Sequence, residues 1–303
     1  MAAATDRFHT TERFDTTERF QLRGRLGRGS LAVVFRAIDL ADNREVAVKV
    51  AAEPGPKAQE RIHNEARVLA ALAHPSIIGF IGEGIMPAGG PLAGRPFLVE
   101  ELAFGTSLLE VIRTGPSSPS DLVPWALGMF EALNHIHTKA LVHCDIKPAN
   151  LMLSGLRRSP VRLVDFGIAS QVGAAPQAGI SSGTVHYMSP EQASGGAAHP
   201  AWDVYAMGLV LLELMTGEKA FPGTAVESLV ARTLRNPGIP RNVGPGWEGL
   251  LRALTAMDPL DRPSAAEAAA WVGRLLPAVS RPDFTRRRRS AWFAGQRQQR
   301  LSA

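Results

Sequence analysis

Apolar positions change their period along this chain. Through Leu102 they mostly alternate with polar ones, the two-residue repeat of a half-buried strand; from Thr106 they recur every three or four, the repeat of a helix. Arg25–Phe35 alternates on both sides of a Gly-rich centre and predicts a β-hairpin, and Glu45–Val50 predicts a strand. Arg61–Leu72 is the helical exception, with Ile62, Ala66, Leu69 and Leu72 on one face. Pro87–Pro96 is a Gly/Pro-rich turn, and Phe97–Leu102 a further strand. Then come a short helix at Ser107–Arg113 and a long one at Pro119–Lys139, striped by Leu122, Ala126, Met129, Phe130, Leu133 and Ile136. Apolar runs at Leu141–Leu153 and Val161–Val164 predict a hairpin around Gly155. Asp203 opens an apolar helix to Met215, closed by Gly217; amphipathic segments follow at Ala225–Leu234 and Trp247–Met257. Ser264 and Glu267 form a capping box before the last helix.

Composition adds limits. With 303 residues the chain can bury a substantial core. Met1–Phe20 is polar and predicts no signal peptide, and no run approaches the roughly 20 apolar residues of a membrane span, so a soluble, cytoplasmic protein is expected. The single cysteine, Cys144, excludes an intramolecular disulfide and fits a reducing compartment. The net charge of +5 sits in the tail: Arg281–Ala303 carries +6, leaving −1 for the rest. That tail, with Arg286–Arg289, Trp292 and Phe293, reads first as a solvated end; contact with an anionic partner, or a fold-back placing Ser290 as a pseudosubstrate, are its sharper readings. The polar start repeats itself: Thr10–Phe14 and Thr16–Phe20 are both TTERF. It reads as an arm whose last copy enters the first strand, with self-phosphorylation as the alternative.

The chemistry concentrates in LVHCDIKPANLML, Leu141–Leu153, and in Asp165-Phe166-Gly167. This spacing supplies a base (Asp145), a cation (Lys147) and two oxygen ligands (Asn150, Asp165), the parts a phosphoryl-transfer site needs. His135 and His137 lack accompanying metal-ligating residues and read as surface or core.

The ordered pair of motifs resembles the catalytic loop and metal-binding motif of a eukaryotic-like (Hanks-type) Ser/Thr protein kinase, bacterial branch. Other stretches resemble that family in the same order: Gly27-Arg28-Gly29 in the glycine-rich loop, Val46–Lys49, Glu65 in the αC position, and Ser189-Pro190-Glu191 after Gly183-Thr184. The resemblance covers about residues 20–277. It implies an α+β, bilobal kinase fold with an N-lobe at about 20–100, a hinge at 101–103 and a C-lobe at 104–277, between an arm at 1–19 and a basic tail at 278–303.

The implied activity is transfer of the ATP γ-phosphoryl group to a protein Ser or Thr, with Mg²⁺ as the metal and Mn²⁺ as an alternative; no DNA contact is expected of the kinase domain. By the resemblance, Asp145, Lys147, Lys49 and Glu65 are catalytic, and Asn150 and Asp165 hold metal. Leu26, Gly27, Arg28, Gly29, Ser30, Val34, Ala47, Lys49, Glu101, Ala103 and Met152 bind the nucleotide. Thr184, with Lys147, matches enzymes acting on Ser/Thr, while Asp203, Glu191 and Arg262 are structural.

Three positions depart from the pattern. Ala32 replaces the third loop glycine. Glu100 stands where an apolar residue is usual: either it is buried and competes for Lys49, giving an inactive resting state, or the register slips by one and it is exposed. Cys144 replaces the Arg that normally meets a phosphorylated activation loop, so phosphorylation of Ser181 or Ser182 is expected to be dispensable. These departures suggest an ATP-binding pseudokinase scaffold as the alternative, and a small-molecule phosphotransferase of related fold as a lesser one.

Overall fold

The computed structural model describes residues 17–154, 159–175 and 185–275. The TTERF copy at Thr10–Phe14, Gly155, Ser181, Ser182, Thr184 and the Arg-rich tail lie outside them.

The alternating first third folds into an antiparallel sheet in the order β1-β2-β3-β5-β4, from β1 (Phe20–Arg28), β2 (Ala32–Asp39), β3 (Arg44–Ala51), β4 (Phe80–Ile85) and β5 (Pro96–Glu101). Alternation sends Phe20, Leu22, Phe35, Val46, Val48, Val50, Phe97 and Val99 into one apolar cluster. The second TTERF copy anchors this sheet: Arg19 forks onto buried Asp39 at 2.7 and 2.9 Å, and Phe20 meets Phe97 edge-on. The folded unit therefore takes in Arg19, ahead of the boundary expected at residue 20.

The other sheet face carries the polar cargo. Val34 pairs with Lys49 and Lys49 with Leu98, while Ala47 pairs with Glu100. This register settles the two readings of Glu100: it is buried, 8% exposed, on the face shared with Ala47. Helix α1 runs Pro56–Ala70, starting ahead of the expected Arg61 because Pro56 occupies the first turn, where a missing N–H costs nothing. Its buried stripe of Ala58, Ile62, Ala66 and Leu69 includes Glu65.

The second lobe is mainly helical. Its helices are α2 (Leu108–Thr114), α3 (Pro119–Thr138), α4 (Pro190–Ala193), α5 (Pro200–Thr216), α6 (Ala225–Leu234), α7 (Pro245–Leu254) and α8 (Ala265–Leu275). Short strands β6 (Thr106–Ser107), β7 (Leu141–Val142), β8 (Leu151–Leu153), β9 (Val161–Leu163) and β10 (Ser170–Gln171) form two small sheets, β6-β8-β9 and β10-β7. The fold is α+β and bilobal, as the resemblance implied. Helix α5 is apolar all round and buried along most of its length, so the lobe packs around it. Gly217 ends it in the left-handed conformation, φ 75°, open to glycine without a Cβ penalty. The Ser264–Glu267 capping box forms as expected, whereas α7 stops at Leu254, short of Met257. Among the described residues, no helix is long and apolar enough to cross a membrane.

Candidate active site

The catalytic-loop sequence enters on β7 and leaves on β8, and two features fix its shape. Cys144 adopts a left-handed backbone, φ 66°. Its N–H and that of His143 both donate to the Asp203 carboxylate, at 2.9 and 2.8 Å. Asp203 lies in the first turn of α5 and is 1% exposed, so the central helix presents its carboxylate to two loop amides that no strand satisfies. His137, at the end of α3, supports the same carboxylate at 3.0 Å, and Gln192 donates to the Cys144 carbonyl at 3.1 Å.

On this scaffold Asp145 points into the cleft. Its Oδ2 accepts from Lys147 Nζ at 2.7 Å and from Asn150 Nδ2 at 3.0 Å, while the Asn150 amide also donates to the Asp145 carbonyl at 2.9 Å. The base, cation and amide separated in sequence thus converge on one oxygen. Spending the Asn150 nitrogen on Asp145 leaves its amide oxygen as the atom able to bind a metal.

Across the cleft, Lys49 Nζ donates to Glu65 at 2.7 and 2.9 Å and to Asp165 Oδ1 at 2.7 Å. Burial works against the Lys49 charge, but the Glu65 and Asp165 carboxylates outweigh it and raise its pKa. Burial raises Glu65 against the pull of Lys49. Burial also pushes Asp165 up, yet the Lys49 charge brings it to about 2. Asp165 sits at φ 63°, and the following Phe166 packs edge-on against His143 with ring centroids 4.7 Å apart.

The two clusters line one cleft of about 460 Å³. Leu26, Gly29, Ser30, Val34, Ala47, Ala103 and Met152 line it as expected, and Leu102, Val164 and Ile168 join them. Gly27 and Arg28, on β1, are not among its lining residues. Glu101 turns its carboxylate away, to Arg162 and to the Gly79 amide. Lys49 is held by Glu65 and Asp165, not by Glu100, so the competition that would give an inactive resting state is not what the structure shows.

An apolar slot lined by Val34, Ala47 and Met152 leads to the Lys49 ammonium and the carboxylate oxygens beside it, a combination that suits a flat ring carrying anionic groups. Gly167 belongs to this cradle: a Cβ there would stand 3.2 Å from Asp165 Oδ1 and 3.3 Å from Lys49 Nζ. Asn150 and Asp165 are hard oxygen donors of the kind Mg²⁺ takes, which completes its shell from water and phosphate.

Residues 20–271 match the protein kinase domain family. The chain belongs to that family. It is 36% identical over 242 residues to the serine/threonine-protein kinase PknB of Mycobacterium tuberculosis (strain H37Rv), covering 77% of this chain and 37% of that relative. It is 32% identical over 257 residues to the serine/threonine-protein kinase PrkC of Bacillus subtilis (strain 168), covering 80% and 38%. The chain thus spans under two-fifths of the length of these relatives.

At the far side of the kinase domain, Arg262 clamps Glu191 with two bonds of 2.6 and 2.9 Å and donates to three carbonyls, those of Ala201, Ala256 and Met257. This ties the segment after the activation loop to α5 and to the approach to α8. The supporting contacts of Gln192 and Arg162, and that of His137, read only as surface or core, were not foreseen from the sequence. The only mark of Arg162 was a polar residue breaking an apolar strand.

Proposed function

We propose that this chain transfers the γ-phosphoryl group of ATP to serine or threonine hydroxyls of a protein substrate. The reading is carried by the convergence of Lys147 and Asn150 on one oxygen of Asp145, in the same cleft as the Lys49–Glu65–Asp165 cluster. It is supported by the names of the relatives, which are serine/threonine-protein kinases.

ATP when bound supplies the phosphoryl group, and a divalent metal, which we take to be Mg²⁺ with Mn²⁺ as an alternative, neutralises its charge. Asn150 and Asp165 would hold that metal. Lys49, its direction fixed by Glu65, would hold the nucleotide phosphates. Asp145 would accept or orient the proton of the incoming hydroxyl, and Lys147 would offset the charge gathered on the moving group. Glu101 and Ala103, in the 101–103 hinge, would meet the base with backbone groups. We place the domain in the cytoplasm, where ATP is supplied and a lone thiol stays reduced. Of the three departures behind the pseudokinase alternative, Ala32, Glu100 and Cys144, the second loses weight, since Lys49 is committed to Glu65 and Asp165 rather than to Glu100.

The test is transfer of labelled γ-phosphate from ATP with Mg²⁺ to the chain itself and to a basic protein substrate. Label on Ser or Thr that disappears in Asp145→Asn and in Lys49→Met is the expected result. Label that persists in both variants, or ATP binding without any transfer, would overturn it.

A further inference from the structure

The inner end of the cleft holds a carboxyl group that the phosphoryl-transfer reading does not use. Glu100, on β5, lines the cleft and is 8% exposed, and its Oε2 has no hydrogen-bond partner among the described residues. Lys49 has no donor to spare for it. A lysine ammonium has three N–H donors, and Lys49 spends three bonds on Glu65 and Asp165. Arg162, the other cation acting on Glu100, gives Nη2 to the Ile77 carbonyl and to Glu101, and its buried Nε, itself without a partner, makes no bond to Glu100. Three carboxyl groups, Glu65, Glu100 and Asp165, therefore share the inner cleft with one ammonium. A buried acid oxygen with no donor is costly and is ordinarily filled by water or by a ligand.

We propose that Glu100 forms a polar subsite at the inner end of the cleft, which takes a ligand presenting an amidinium group on a flat aromatic ring. The amidinium brings the two things this wall lacks, N–H donors for the Glu100 carboxyl and a positive charge among the carboxylates. The ring lies in the apolar slot between Val34, Ala47 and Met152. Because burial, then the Glu65 charge, hold Glu100 up at about 8, the group is mainly neutral at pH 7 and loses its proton when the cation arrives. The balance is simple: Glu100 passes one proton to buffer, and the amidinium–carboxylate pair forms with no bond made or broken elsewhere.

The probes are benzamidine and its neutral near-isostere benzamide, with binding measured by calorimetry at about pH 7 in two buffers of different ionisation enthalpy. The expected result is that benzamidine binds on the order of tenfold more tightly than benzamide, competes with ADP and releases close to one proton. Glu100→Gln, checked for an intact unfolding transition, keeps the shape, and is expected to lose both the preference and the proton release. Equal affinity for the two probes, absence of binding by either at millimolar concentration, a preference that survives in Glu100→Gln, or tight binding without proton release would each overturn the proposal. It rests on the cleft and not on turnover, so failed phosphoryl transfer with an intact amidine preference would sink the kinase reading and leave this one standing.

Discussion

Replacing Glu100 by Met removes a buried carboxyl while keeping a side chain of similar length. In the folded chain burial, aided by the Glu65 and Asp165 charges and opposed by Lys49, holds that carboxyl at about 8, against its ordinary 4.5. The folded state thus binds this proton more tightly than the unfolded state. Below about pH 4.5 both states are protonated and Glu100 costs nothing in charge burial. As pH rises from 4.5 toward 8 the unfolded chain ionises while the folded one resists, so stability falls through that window and levels off above it. The gap sets a ceiling of about 5 kcal/mol, at about 1.4 kcal/mol for each tenfold change in proton affinity. Local relaxation and water entry reduce it, so we expect about 2 to 3 kcal/mol between about pH 5.5 and pH 8.5. Urea unfolding of the parent and of Glu100→Met at those two pH values is the assay. The Met variant is expected to be the more stable of the two, by a margin that widens with pH. Parallel pH profiles would refute the reasoning, because they would mean that Glu100 ionises in the folded chain as freely as in water.

Other outcomes follow from the same contacts. Arg262→Ala leaves Glu191 without its clamp and removes one donor from each of three carbonyls, and should cost about 3 to 5 kcal/mol in denaturant unfolding, with Arg262→Lys restoring only part. Asp203→Asn leaves an oxygen for one loop amide and faces the other with an N–H; we expect phosphoryl transfer to fall about 10 to 100-fold while ADP affinity stays within a factor of about three. Because Cys144 brings no cation to meet a phosphorylated loop, the double change Ser181→Ala and Ser182→Ala should leave the transfer rate within about twofold of the parent. A large loss in that double variant would point to a cationic acceptor elsewhere.

Much of the fold was legible because strand and helix periods are local. The alternation of Glu45–Val50 and the stripe of α3 needed no partner to be read. Element ends were less so: Pro56 extends α1 beyond the apolar stripe, and nothing in its hydrophobic pattern marks that first turn. Most of the residues that line the cleft could be picked out by chemical type, though Gly27, Arg28 and Glu101 are not among them. What supports the site could not be, since it depends on distant pairings. His137 meets Asp203 across 66 positions, and Arg162 meets Glu101 across 61. Glu100 shows the same limit at a single residue. Its type and strand were plain in the sequence, but its burial depended on the register of β5 against β3, and a one-residue slip reverses every face.

The departures at Cys144 and Glu100 act on the charge balance of the site in the same direction: the first leaves out the usual cation and the second adds a buried acid. At Cys144 the backbone is nonetheless held, because Asp203 takes two amides and Gln192 takes the carbonyl without using the side chain. Burial first and the Asp203 charge second push the thiol's pKa upward and away from the reactive thiolate. The loop is therefore set by contacts to α5 and α4 that do not depend on the residue at 144. At the other wall, Lys49 is, among the described residues, the ammonium that bonds both Glu65 and Asp165, and it joins α1 of one lobe to the Asp165 turn of the other. Losing Glu65 would leave Lys49 to Asp165 alone, so the lobes would still be bridged but the ammonium would lose its fixed direction. Losing Lys49 would leave three carboxyl groups facing one another across the cleft. The asymmetry predicts that Lys49→Met disturbs nucleotide binding more than Glu65→Gln does, and equilibrium ADP titration of the two variants decides it: the reverse order would mean that Glu65, not Lys49, organises the inner cleft.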